Sequence, residues 1–401
     1  MARGSSSDRR RLPMGKALAI RLALERFQLD EDGGGFVPIH KLAERHGRNP
    51  TVVSRAIHKA FSEGWVRVQA IGPQEPELRE DLAARLIKTF PRLRKALVVD
   101  RSASTTDSGE PKEEGDHLHS AMGQVMAEFI KDSSVVRDGD VIGVGSGRGV
   151  FHTVDALRSD GSPGYLKARE VTLVSLTGMV NQRHHTRMVT TILDSDYHIA
   201  RLGLGFEEGA NLRPISRPIA YGSVKDLERN RQLTALDPRR WNKTHLHAAL
   251  VGCGVLAGGH LFFRFVRGDQ ADVNAQELAP LRRDLRALID EAENAKQGEK
   301  GLPEHYYPVA DLCNFLHFIP PPAPLRINSV VRKRIEERIE KINARLLTVT
   351  QGQLSAVDHV ILVAGTPEKA LAIRHFLELG ELSIHTLCTD SGAAERILDG
   401  S

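Results

Sequence analysis

An α/β fold, with a small helical unit in front and a mainly parallel sheet behind, is what this sequence of 401 residues predicts. Three observations carry that prediction. From residue 118 onward, short apolar runs alternate with amphipathic stretches of helical spacing, the pattern of parallel strands joined by crossover helices. Within that region the apolar run from Val141 to Val144 breaks into Gly145, Gly147 and Gly149 and resumes as an amphipathic pattern, which reads as strand, tight loop, helix. The first 74 residues hold 13 Lys and Arg against 7 Asp and Glu although the whole chain is only +4, so the positive charge sits at the front.

Residues 1–13 are polar, basic and serine-rich and are expected to be a flexible arm. Between 14 and 27, Leu18, Ala19, Leu22 and Ala23 recur at helical spacing, and Asp32 with the three glycines behind it ends that unit. Ile39, Leu42 and Ala43 predict a short second helix closed by Gly47. A third starts at Asn49 and Pro50, an N-cap followed by the residue whose fixed φ suits the first helical position, and it aligns Val53, Ala56, Ile57 and Ala60. Gly64 is expected to close it and 65–68 to form a strand, giving a helix-turn-helix with a wing over 14–72. Residues 73–96 read as a linker with a helix at 82–90. The remainder, 97–401, predicts strands at 97–100, 141–144, 171–175, 248–252, 359–364 and 384–388, with helices at 118–130, 150–157, 331–345 and 367–379. The polar segment 101–117 reads as a surface insert.

At 41% hydrophobic and 26% charged residues the chain can bury the cores of two domains. Its longest apolar runs, such as Val360 to Ala364, fall far below the ~20 residues a membrane helix needs, so no membrane association is expected. The first eleven residues lack the apolar segment of a secretory signal, which predicts a cytoplasmic address. Cys253, Cys313 and Cys388 form no C-x-x-C pair, and neither disulfides nor a zinc knuckle is expected.

On the third helix, Arg48, Asn49, Thr51, Ser54, Arg55 and Lys59 fall opposite the apolar stripe. Early residues of such a helix meet base edges while Ser, Thr and Lys hold phosphates, so a double-stranded DNA operator is the expected partner. A protein-binding face is the alternative. The loop Gly145, Ser146, Gly147, Arg148, Gly149 has the form of a phosphate cradle: glycines let the backbone approach an anion and the following helix offers N–H groups and the positive end of its dipole. It is not a dinucleotide fingerprint, because Arg148 or Val150 fills the third glycine position. There is no G-x-x-x-x-G-K-[ST], and Val144 rather than glycine stands two residues before Ser146, so neither a P-loop nor a nucleophile elbow is present. No third histidine beside an acid completes a metal constellation around the histidine pairs 117/119, 184/185 and 245/247, and no metal or other cofactor is expected.

The segments Ile39 to Gly47, Val53 to Ile57 and Glu63 to Arg67, followed by Ile142 to Gly149, Val174 to Gly178, Val251 to Gly254, Val309 to Cys313, Val363 to Ala370 and Leu387 to Asp390, resemble the SorC family of sugar-responsive transcriptional regulators in content and order. The resemblance spans most of 36–397. It implies a winged helix-turn-helix and a C-terminal effector-binding and oligomerisation domain of the sugar-phosphate isomerase-like type, assembled as a homodimer or homotetramer. It also implies a regulator whose operator affinity is set by a small-molecule effector, a sugar, sugar phosphate or polyol. Carried over residue by residue, the loop Gly145 to Gly149 resembles the family's effector-phosphate loop and Lys369 the lysine that helps hold the phosphate; an exposed helix residue is the alternative for Lys369. Thr177 and Gly178 fall in a matching segment. Asp311 is expected to accept a sugar hydroxyl or to cap a loop, and Asp390, just past a strand, to meet the ligand or Lys369.

This chain departs from the family in having Gly149 where a threonine or serine is usual, which removes a hydroxyl; Arg148 is the residue placed to compensate. Residues 180–245, 101–117 and 260–308 also stray from the pattern. Two rival readings remain: an enzyme, since the glycine loop also resembles that of ribose-5-phosphate isomerase, although no D-x-x-D-E segment supplies a base; or a DNA-binding protein whose rear domain only oligomerises.

Overall fold

The computed structural model describes residues 15–26, 37–62, 65–66, 76–101, 114–132, 135–157, 166–179, 194–241, 243–255, 278–298, 301–303 and 306–400. The chain divides into two compact units, Met1–Pro73 and Gln74–Ser401.

In the first unit, helices Lys16–Arg26, Ile39–Arg45 and Pro50–Ser62 enclose a core of Ala19, Leu22, Ala23, Leu42, Ala43, Val53, Ala56, Ile57 and Ala60. The three-to-four-residue spacing of these positions puts them on one stripe of each helix. Gly47 turns the chain between the second and third helices at φ +59°, and Asn49 caps the third by accepting the Thr51 N–H at 2.9 Å. The strand expected at 65–68 is not formed where it can be seen. Trp65 and Val66 lie in a bend, and both N–H groups return to the Ala60 carbonyl, at 2.9 and 3.1 Å, so they wrap the helix end instead of entering a ladder. The rest of the expected wing, Gly64, the glycine break at 32–35 and the arm at 1–13 lie outside the described residues.

The second unit holds a seven-stranded sheet, β1 (Lys95–Val99), β2 (Val141–Val144), β3 (Thr172–Ser175), β4 (Asn211–Arg213), β5 (Ala248–Val251), β9 (His359–Val363) and β10 (Ile384–Asp390), in the order β1-β10-β9-β5-β2-β3-β4. Every pairing in it is parallel. Both faces are covered, as an all-parallel sheet requires. Alternate residues divide between two cores: Ile142, Ala248, Leu250, Ile361 and Val363 face one side, and Ala249, Val251, Val360 and Leu362 the other. The strands therefore read as continuous apolar runs, which is why they are visible in the sequence.

A second sheet, antiparallel and not foreseen, is built from β6 (Cys253–Val255), β7 (Val309–Leu312) and β8 (Phe315–Phe318) in the order β6-β7-β8. Helix Ser329–Asn343 packs on β8, and helix Ala279–Gly298, inside the segment that strays from the family pattern, packs on that helix. Part of the expected insert at 101–117 is helical, because the helix expected at 118–130 begins at Glu114 and ends at Asp132. Among the described residues no helix is long and apolar enough to cross a membrane.

Candidate functional site

From β2 the chain builds outward through β3 and β4 on one side, while β5, β9 and β10 lie on the other. The carboxyl ends of β2 and β5 therefore flank a topological switch point, where open parallel sheets form a crevice. The glycine loop leaves β2 at this point. Gly145 donates its N–H to the Leu250 carbonyl of β5 at 2.8 Å, and its carbonyl lies 2.9 Å from Nδ1 of the buried His198. Ser195, at the start of the same helix, Ser195–Gly203, donates its hydroxyl to the Val144 carbonyl. Gly147 adopts φ +113°, which L side chains rarely do, and directly precedes the helix Arg148–Ala156. A Cβ at Gly149 would stand 2.7 Å from the Val363 carbonyl oxygen. The missing hydroxyl at 149 thus has a steric cause: the helix starts against the backbone at the end of β9, and nothing larger than hydrogen fits.

Facing the loop are the ends of β5, β7 and β9. Asp311 accepts the Asn314 N–H at 2.8 Å, and Asn314 donates its side-chain amide to Ser146 Oγ at 2.6 Å, tying the second sheet to the glycine loop. Cys313 and Asn314 make this turn at φ +54° and +65°. Burial pushes the Cys253 thiol up to about 12, with the charge of Lys369 acting against that rise and the charge of Asp311 adding to it. β6, which carries Cys253, pairs with β7 at Gly254 and Asp311 and packs against the turn that ends at Lys369, so both residues flank one strand. Burial likewise keeps Cys313 and Cys388 protonated, so none of the three is a reactive thiolate.

The helix expected at 367–379 begins one turn late. Pro367–Lys369 is a 3₁₀ turn and the α-helix runs over Ala370–Glu378, so half-buried Lys369 stands at the junction and makes no ion pair among the described residues. The expected strand 384–388 continues through Asp390, which is fully buried. One of its oxygens accepts the Thr366 N–H and the other the Ala393 N–H at 3.1 Å, so it holds the Lys369 loop and caps the helix Ser391–Asp399. Thr177 and Gly178 are engaged elsewhere. Thr177 bridges Thr348, the Gly178 N–H goes to the Leu347 carbonyl at 2.7 Å, and a Cβ at Gly178 would meet the Pro218 carbonyl at 2.7 Å. The structure thus gathers Gly145, Ser146, Gly147, Gly149, Asp311 and Lys369 around one crevice, leaves Arg148 exposed at its rim, and places Asp390 beneath it. His198, Asn314 and Thr366 were not singled out by the sequence. Only Thr366 carried a signal, as a residue between Gly365 and Lys369 in the segment Val363 to Ala370.

In the first unit Arg48, Asn49, Thr51, Ser54, Arg55 and Lys59 are all exposed. Lys59 and Lys16 lie over the Trp65 ring at 5.6 and 5.2 Å, so the bend at the helix end is also a cation–π anchor.

The acid that the 245/247 histidine pair lacks in sequence is supplied by the fold. His245, His247 and Asp358 present ligand-type atoms within 4.8 Å of one another, at the amino ends of β5 and β9. The ring of His247, however, accepts the Val141 N–H at Nδ1, 3.1 Å away. That bond places the neutral ring's proton on Nε2, so neither nitrogen offers an open lone pair, the reverse of the outer-shell pattern at metal sites. The histidines at 184 and 185 lie outside the described residues.

Solved structures share this architecture. The full-length sorbitol operon regulator SorC from Klebsiella pneumoniae matches with a TM-score of 0.50 at 18% identity, over 94% of this chain and 99% of that one. A transcriptional regulator from Streptococcus pneumoniae matches with a TM-score of 0.54 at 13% identity, over 80% and 96%. A DeoR family transcriptional regulator from Listeria monocytogenes matches with a TM-score of 0.50 at 13% identity, over 79% and 98%. No protein-family model and no curated protein matches the sequence. At these identities the likeness establishes a shared fold.

Proposed function

We propose that this chain is a DNA-binding transcriptional regulator of the SorC kind, whose grip on an operator is set by a sugar or sugar phosphate held in the crevice between β2 and β5. One observation carries the reading: a glycine loop that opens into a helix after β2 and Lys369 after β9 stand at the same carboxyl end of the sheet, in a chain whose other unit presents a polar helix face. In this reading the backbone of Gly145, Gly147 and Gly149 closes on the phosphate, with Ser146 and Arg148 at its rim and the Lys369 ammonium as its compact counter-charge. Asp311 accepts a sugar hydroxyl. Asp390 supports the crevice from beneath by holding the Thr366 N–H, and Thr177 and Gly178 are engaged with backbone away from it. The exposed row from Arg48 to Lys59 enters the major groove, and a homodimer or homotetramer places two such rows on a palindromic operator. Effector control then requires the ligand to favour one arrangement of that oligomer over another.

The test is a thermal-shift screen of sugar phosphates, unphosphorylated sugars and polyols, with each hit then added to a fluorescence anisotropy titration against duplexes selected from a random pool. A ligand at 100 times its Kd raises stability by about 2.7 kcal/mol. A hit that shifts DNA affinity supports the reading, and DNA binding indifferent to every compound would leave the rear domain as an oligomerisation module. Arg55→Ala should weaken duplex binding and lower the salt slope by about 1. Unchanged binding at fixed salt would remove this helix from the DNA.

A further inference from the structure

Five non-glycine residues among those described have positive φ, and Thr366 is the β-branched one, at φ +84° and ψ +138°. A branched side chain makes this backbone shape costly, and glycine would adopt it without strain. The surroundings hold the strain in place: Asp390 takes the Thr366 N–H, the Thr366 carbonyl accepts the Lys369 N–H at 3.0 Å, and Pro367 restricts ψ from the following position. Both backbone groups are thereby satisfied. The side chain is not: Thr366 Oγ1 is buried and has no hydrogen-bond partner among the described residues. A buried hydroxyl without a partner calls for an explanation. Position supplies one, because Thr366 lies three residues past Val363, whose carbonyl abuts Gly149, and three before Lys369.

We infer that Thr366 is a ligand-binding residue of the crevice, its hydroxyl donating to an anionic oxygen held between the glycine loop and Lys369. This rests on the anion-binding reading above and adds a residue to it. The strained backbone is retained for the hydroxyl, so stability and binding should respond to its removal in opposite directions.

The experiment measures the urea midpoint of the ligand-free protein and, by calorimetric titration, its affinity for inorganic phosphate and glucose 6-phosphate, in wild type, Thr366→Gly and Thr366→Ser. Thr366→Gly is expected to keep or raise the midpoint while weakening affinity roughly tenfold, the effect of one lost hydrogen bond to a charged group. Thr366→Ser keeps the hydroxyl and should bind as wild type does. If wild type binds and Thr366→Gly binds equally well, the assignment of Thr366 falls while the anion site stands. If Thr366→Gly lowers the midpoint, the hydroxyl serves the fold and the inference falls. If wild type binds neither probe, the anion site itself fails and takes Thr366 with it.

Discussion

The two edges of the seven-stranded sheet are both rich in polar groups, and they treat them in opposite ways. At the amino edge, His247 accepts the Val141 N–H, His385 accepts the Val360 N–H at 3.1 Å, His245 lies 2.6 Å from Asp358 and His359 lies 2.8 Å from the Thr386 hydroxyl. Each of these rings closes a contact within the fold, and burial holds His385 at about 4, in its neutral form. At the carboxyl edge the glycines remove side chains, and among the described residues Lys369 stands without an ion pair and the Thr366 hydroxyl without a partner. Polar density alone would have favoured the histidine edge. Unmet hydrogen-bonding capacity beside a backbone stripped of side chains distinguishes the other.

That contrast can be broken at either edge. The largest effect is expected from Gly149→Thr: the 2.7 Å contact is with a backbone carbonyl that cannot rotate away, so overpacking should cost about 3 kcal/mol in a denaturant titration. An unchanged midpoint would mean that the loop is not clamped against β9. Next is acid. The folded pKa of His385 lies below its ordinary value of 6.5, so its stabilising contribution is complete above pH 6.5 and is lost as the pH falls toward about 4. The loss should be on the order of 2 kcal/mol, the full shift reduced by solvent screening of a partly solvated ring. Thermal melts of His385→Asn should show a flatter profile over that window, and an identical profile would place the acid sensitivity elsewhere. Lys369→Ala should weaken sugar-phosphate binding about tenfold, or ~1.4 kcal/mol, by calorimetry, with the melting temperature unchanged. The smallest change belongs to His245→Ala. Its pair with Asp358 is exposed, so stability should move by less than about 1 kcal/mol, with no change in ligand affinity.

Much of this arrangement was legible in the sequence. The strands at the centre of the sheet are apolar on both faces, and the glycine loop and the Asn49-Pro50 helix start follow from local rules that operate within a few residues. The three-stranded sheet was not legible, because β6 has only three residues and one glycine, Gly252, separates it from β5. β4 is equally short and exposed at each position, so it carries no apolar run. The backbone contacts of Asp390 were not legible for a related reason. Its place after an apolar run suggested a ligand contact, whereas its partner Thr366 lies 24 residues away and the helix it caps starts at the next residue. The Asp358 carboxylate joins His245 across 113 residues, beyond any local pattern. Gly149 was read as a lost hydroxyl because only the fold shows what lies against it.

The central claim is that ligand binding belongs to the carboxyl edge. Hydrogen exchange measured on the full chain with and without the best compound from the sugar-phosphate screen tests it most directly. Protection should appear over 145–149 and 365–369 and be absent over 245–247. Protection confined to 245–247, or absent from both carboxyl-edge segments while the compound still binds, would contradict it.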